Sequence, residues 1–171
     1  MPVRPLARGT RVPELTPRRC FAVLLGAALL FGCASVRRAP APEDALGGLR
    51  LLPPVDGNVS SAFGDRGGAR HTGVDILAAG GTEIRAAAPG VVAYAGNGYR
   101  GYGNAVIVDH GGSVTTLYAH IGTIRVRSGE TVAAGDVIGT VGRSGNATTH
   151  HLHFELRVDG KAVDPMPHMT R

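Results

Sequence analysis

The chain has 171 residues, the size of one domain, and its 43% hydrophobic content with 26 Gly and 11 Pro excludes both a disordered chain and collagen. Four Phe, four Tyr and no Trp leave the core to be built from Val, Ile, Leu and Ala. A formal charge of +5 would suit nucleic acid or an anionic surface, and two cysteines allow at most one disulfide and no Cys-rich metal site.

Residues 1–19 carry Arg4, Arg8, Arg11, Arg18 and Arg19 against one acid, Glu14. From Cys20 to Phe31 the residues are apolar, about a dozen where a spanning helix needs roughly 20. The run has no polar face and no N-cap, which argues against an amphipathic helix; a basic stretch followed by a short apolar one has the shape of an export signal. Leu30-Phe31-Gly32-Cys33-Ala34 resembles the lipobox of bacterial lipoproteins, with Phe31 larger than is usual at its position. The resemblance implies a signal peptide over 1–32, lipidation at Cys33 and anchoring through more than one acyl chain. It also implies a cell-envelope location, with Ala34 after the Cys favouring an outer membrane, facing the periplasm. Arg18-Arg19 leaves general and twin-arginine export both open.

Loss of residues 1–32 changes the opening arithmetic. Five Arg and one Glu leave with them, so 18 basic residues become 13, 13 acidic become 12, and the net charge falls to +1. Nucleic acid then has no support from charge. Cys20 is lost and Cys33 is lipidated, so no disulfide is expected in the folded part. Residues 33–54 include Pro40, Pro42, Gly47, Gly48, Pro53 and Pro54 without apolar periodicity, and predict a tether reaching at most roughly 70 Å.

A folded domain is expected over 55–165, with a short tail at 166–171. Its apolar runs are of strand length and separated by glycine: 90–95, 105–109, 114–119, 136–141 and 151–158. Gly111-Gly112 and Asp159-Gly160 suit hairpin turns with positive φ. The predicted class is all-β, an antiparallel sandwich or partly open barrel.

Seven histidines are present. In His151-Leu152-His153 two imidazoles two residues apart fall on one face of a strand, while Leu152 and Phe154 face the other way. His71 and Asp75 offer an imidazole and a carboxylate, and His120 ends the run Leu117-Tyr118-Ala119. Zinc takes His nitrogen and Asp oxygen, and a catalytic site keeps three protein ligands with one open position. Each pair alone is more often a pair of solvated surface residues than a metal site.

Together, His71, Asp75, His120, His151 and His153 in this order resemble the lysostaphin-like, LytM-type zinc endopeptidases, which cut peptidoglycan peptide cross-links. The resemblance covers about residues 55–165. It includes Ser61-Ala62-Phe63-Gly64, Ala87-Ala88-Pro89-Gly90, Gly101-Tyr102-Gly103-Asn104, Gly135-Asp136-Val137-Ile138-Gly139 and His151-Leu152-His153-Phe154-Glu155. It implies a fold of the lysostaphin type, resembling a duplicated hybrid motif, one Zn2+ held by His71, Asp75 and His153, and His120 and His151 as the catalytic pair. Zinc lowers the pKa of a bound water to about 7 and polarises a carbonyl, and the imidazoles manage the proton and the oxyanion. Which of the two is the main base stays open, as does whether Tyr118 faces the cleft or the core. His150 replaces a commonly found Pro and should point away from the pair; His110 and His168 are expected to be exposed.

The implied substrate is the D-Ala to diaminopimelate cross-link, glycine bridges being the alternative. A second role is a catalytically silent LytM-type regulator that activates another cell-wall hydrolase, with a divisome-type protein as partner; here every ligand position is filled. The Gly-punctuated stretch 126–141 is also similar to biotinyl and lipoyl carriers, but the only lysine, Lys161, lacks the flanking residues such a carrier needs.

Overall fold

The computed structural model describes residues 46–170. The expected leader, Cys33 and the first part of the tether lie outside the described residues. The elements in chain order are β1 (Asn58–Ser61), β2 (Gly64–Arg66), β3 (Ala69–His71), β4 (Val74–Leu77), β5 (Glu83–Arg85), β6 (Gly90–Gly96) and β7 (Ala105–Asp109). They continue with β8 (Val114–Ala119), β9 (Ile121–Ile124), β10 (Thr131–Val132), β11 (Val137–Val141), β12 (His151–Val158), β13 (Lys161–Val163) and a single 3-10 turn over Met166–His168.

The fold is all-β and antiparallel, as expected, and its sheets are open. The main sheet runs β1-β4-β12-β8-β7-β6-β10, with β13 paired to the end of β12. A second sheet, β5-β11-β9, and the β2-β3 hairpin complete it. Hairpin chemistry behaves as anticipated: β7 turns into β8 through Gly111, Gly112 and Ser113, all at positive φ, and β12 into β13 through Asp159 and Gly160.

Strand alternation divides β12 and β8 between two environments. Leu152, Phe154 and Leu156 are fully buried on one face with Tyr118, Val106 and Val108 from neighbouring strands and Ile84, Ile121, Ile138 and Val141 from the smaller sheet. This apolar layer is the main core, dominated by aliphatic side chains as the composition requires, and a smaller buried cluster of Ala105, Leu117 and Ala119 lies apart from it. The opposite face of the same strands carries His153 and Glu155 over Ala119 and Leu117.

Three features of the chain differ from expectation. Leu46 and Leu51, within the expected tether, are buried in the core. Leu51 forms a parallel bridge to Met169, and its N–H donates to the His168 carbonyl at 2.9 Å, so residues 166–170 pack back onto 46–52 instead of forming a free tail. The proline-rich composition hid two buried leucines that have no periodic partners in sequence. His168 is accordingly half-buried, and so is His110, whose Nδ1 donates to the Pro89 carbonyl and whose Nε2 accepts from Thr116 Oγ1, each at 2.8 Å.

Tyr118 faces the core. Its hydroxyl accepts the Ala87 N–H at 2.8 Å and is paired with Thr116 Oγ1 at 3.0 Å, which closes a polar chain from Ala87 through Tyr118 and Thr116 to His110. Burial pushes its phenol up to about 12.

Candidate metal centre

Register brings the sequence-distant groups together. On β12, His153 lies directly opposite Asp75 of β4 on one side and Ala119 of β8 on the other. His71 reaches the same point from the end of β3 because the chain passes close over β12 at Gly73, where a β-carbon would collide with the Phe154 carbonyl oxygen. His120 follows β8 with φ 61°, a left-handed backbone uncommon for a non-glycine residue. Simple alternation would place it with Tyr118 on the core side; the turn at φ 61° carries it to the other face, where its ring lies 4.7 Å from that of His151. The alternation argument for His151 and His153 holds, and His150 lies outside the cleft with its ring over Gly80.

His71 Nε2, Asp75 Oδ1 and His153 Nδ1 converge, with separations of 3.1 Å from His71 to each of the others and 2.8 Å between Asp75 and His153. His153 Nε2 donates to Glu155 Oε1 at 3.0 Å, which fixes its tautomer. His71 Nδ1 lies 2.8 Å from the Ala62 carbonyl and 2.6 Å from the Arg66 guanidinium, an acceptor and a donor that call for opposite proton positions. The inner nitrogen of His153 is then left with a lone pair directed at Asp75 Oδ1, two acceptors 2.8 Å apart with His71 Nε2 beside them. A cation resolves that repulsion, and two imidazoles with one carboxylate are the donor set zinc takes.

Burial alone would raise the Asp75 carboxyl. Its close contact with His153, the Arg66 guanidinium and the charge of the neighbouring imidazoles outweigh it and hold the group well below the usual carboxylate range. Arg66 on β2 supplies the outer contact, donating to Asp75 Oδ2 at 2.9 Å.

Glu155 is fully buried and carries the second layer of the site. It accepts from Thr72 Oγ1 at 2.5 Å, Tyr102 at 2.7 Å and His153 on one oxygen, and from Arg157 Nε at 2.6 Å on the other. Its burial would raise the carboxyl, but these donors hold it at about 2. Tyr102 and Glu155 fall in motifs noted in the sequence, where no role could be given to them; Thr72, next to His71, carries no such signal. The signal for Glu155 is its spacing: His151, His153 and Glu155 continue one alternating face of β12.

His120 and His151 also have defined tautomers. His120 Nδ1 donates to the Ser144 carbonyl at 2.8 Å, and His151 Nδ1 to the Thr149 carbonyl at 3.0 Å, so each keeps a lone pair on Nε2. His151 Nε2 lies 3.8 Å from Asp75 Oδ1. Burial lowers His120 from its ordinary value, and the neighbouring His151 and His153 add to that, which favours the neutral base.

These groups line a cleft of about 490 Å³. The β2-β3 hairpin forms one wall. The other joins the β6-β7 connection to the segment before β12: the Asn146 N–H donates to the Gly101 carbonyl, and the Asn104 N–H to Ser144 Oγ, both at 2.9 Å. Gly103, at φ 64°, meets Gly145 so closely that a β-carbon there would overlap its backbone nitrogen.

Residues 69–165, more than half of the chain, match peptidase family M23. The chain belongs to peptidase family M23. The family is zinc-dependent, and the His-Asp-His cluster fits one metal ion. Among M23 relatives, the DD-carboxypeptidase/endopeptidase Mpg of Neisseria meningitidis serogroup B is 42% identical over 126 residues, 70% of this chain and 29% of that protein. The murein hydrolase activator NlpD of Salmonella dublin is 43% identical over 118 residues, 69% of this chain and 31% of that protein. The chain thus spans about three tenths of the length of these curated relatives. The catalytic domain of lysostaphin from Staphylococcus simulans superposes with a TM-score of 0.61 at 31% identity, covering 66% of this chain and 91% of that domain. The fold is therefore of the lysostaphin type. An M23 peptidoglycan hydrolase or activator is the functional class these relationships support.

Proposed function

We propose that this M23 protein is a zinc endopeptidase that hydrolyses peptidoglycan peptide cross-links, with the D-Ala to diaminopimelate bond as substrate. The observation that carries this is the convergence of His71 Nε2, Asp75 Oδ1 and His153 Nδ1 within 3.1 Å of one another, with the outer hydrogen bond of His153 to Glu155 directing its lone pair inward. Zinc held there supplies a Lewis acid and an acidified water at neutral pH. Glu155 holds the His153 tautomer, and Arg66 restrains the free oxygen of Asp75. His120 and His151, each with its Nδ1 bonded to a backbone carbonyl and Nε2 turned to the cleft, take a proton from the attacking water and return one to the leaving amine. The similarity to a DD-carboxypeptidase/endopeptidase supports the bond assignment.

The similarity to a murein hydrolase activator favours a second reading, a silent domain that activates another wall hydrolase. The complete donor set favours the enzyme. Elemental analysis of the purified chain followed by digestion of isolated peptidoglycan separates the two. One zinc per chain with release of un-cross-linked peptides is expected of the enzyme, and a metal-free protein that cuts nothing would overturn it. In the same proposal the protein is anchored in the envelope through lipidated Cys33, at the outer membrane and facing the periplasm; labelling with a radioactive fatty acid, lost in Cys33→Ala, tests the anchor.

A further inference from the structure

Arg66 and Arg100 both border the cleft, and the only acid among its lining residues is Asp75. The two arginines are not equivalent. Arg66 is committed to Asp75, 2.9 Å away, and to His71 Nδ1, 2.6 Å away. Arg100 is exposed and, among the described residues, forms no ion pair and no side-chain hydrogen bond. It stands on the wall opposite the β2-β3 hairpin, beside Gly101, whose carbonyl is held by the Asn146 backbone. The support is therefore fixed while the guanidinium is unpaired. Its cleft neighbours Asn146, Ala147 and Thr148 are uncharged, so nothing near it competes for an anion.

We propose that Arg100 is the receptor for a free carboxylate carried by the substrate on the leaving-amine side of the scissile bond. This rests on the endopeptidase reading and specifies its substrate class. In a D-Ala–D-Ala terminus, and in a D-Ala to diaminopimelate cross-link, the carbon bearing the scissile nitrogen also bears a free carboxylate. An internal bond of a glycine bridge has an amide there instead. Guanidinium pairs with carboxylate through two parallel N–H···O bonds, a geometry an amide cannot match in charge or shape. One arginine would thus admit both carboxypeptidase and cross-link substrates and discriminate against neutral bridges.

The test uses the full chain in detergent, with metal removed by a chelator so that nothing is turned over. Two fluorescent peptides, L-Ala-γ-D-Glu-diaminopimelate-D-Ala-D-Ala and the same peptide with a C-terminal carboxamide, are titrated and followed by anisotropy. The wild type is expected to bind the acid at least about tenfold more tightly than the amide, the scale of one charge-assisted contact. Arg100→Gln should remove that difference and Arg100→Lys restore part of it. Equal affinity for the two peptides, binding of neither, or full preference in Arg100→Gln would overturn the proposal. Zinc-loaded chain that shows the preference but cuts no peptidoglycan would support the carboxylate site while removing the endopeptidase reading.

Discussion

The two faces of the central sheet are built from the same strands and solve opposite problems. On the core face, Tyr118, Thr116 and His110 form a polar chain in which each donor meets one acceptor: Ala87 N–H to Tyr118, Tyr118 to Thr116, Thr116 to His110, His110 to the Pro89 carbonyl. On the other face, His153 of β12 and Asp75 of β4 turn two acceptors toward each other, with His71 from the end of β3 beside them. The first arrangement is complete in itself. The second is complete only with a cation, and that difference separates a structural polar network from a ligand site in strands with similar burial.

Substitutions on the two faces should therefore separate folding from metal binding and turnover. The largest effect on activity is expected from Asp75→Ala, which removes a proposed ligand: zinc content and peptidoglycan digestion should fall together, with kcat/KM down by at least about 10³-fold, since in the proposed mechanism the metal provides the nucleophile. His151→Ala should retain most of the zinc while turnover drops by about 10²- to 10⁴-fold, the range of a lost general base or acid; a near-normal rate would remove His151 from the chemistry. On the core face, Phe154→Ala should cost about 3 to 5 kcal/mol in urea unfolding, and any residual folded protein should still bind zinc. Tyr118→Phe strands the Ala87 N–H and should cost about 1 to 3 kcal/mol, with zinc content unchanged.

The smallest effect is a pH dependence specific to the core face. Burial lowers the pKa of His110 below its ordinary 6.5, only partly offset by its bond to Pro89 and by Asp109. The unfolded chain therefore takes up this proton first as pH falls. The contribution of neutral His110 to stability is complete above about pH 6.5 and declines below it, with a slope of at most about 1.4 kcal/mol per pH unit. Unfolding free energies measured from pH 7.5 to 5 should show this decline, and His110→Gln should flatten it.

The site was more legible in the sequence than the fold's margins. His-x-His on a strand, with Leu152 and Phe154 between and after, dictates that two imidazoles share a face, and the expected strands at 105–109, 114–119 and 151–158 have those limits in the structure. Short strands such as β2, β3 and β10 were not legible, because two or three residues carry no period and are defined by their partners. The position of His120 was hidden for a different reason: its left-handed backbone breaks the alternation that served for its neighbours. Leu51 and Met169 are joined only by closure of the chain ends, a contact that local sequence does not encode. Arg66 and Arg100 look alike in sequence, and only the cleft separates the paired from the unpaired one.

Anomalous diffraction at the zinc edge, from crystals of the chain grown with zinc, addresses the metal site most directly. A single strong peak about 2.0 to 2.2 Å from His71 Nε2, Asp75 Oδ1 and His153 Nδ1 is expected. A peak at other residues, or no peak in this cleft, would contradict the assignment of the sheet's polar face as a zinc centre.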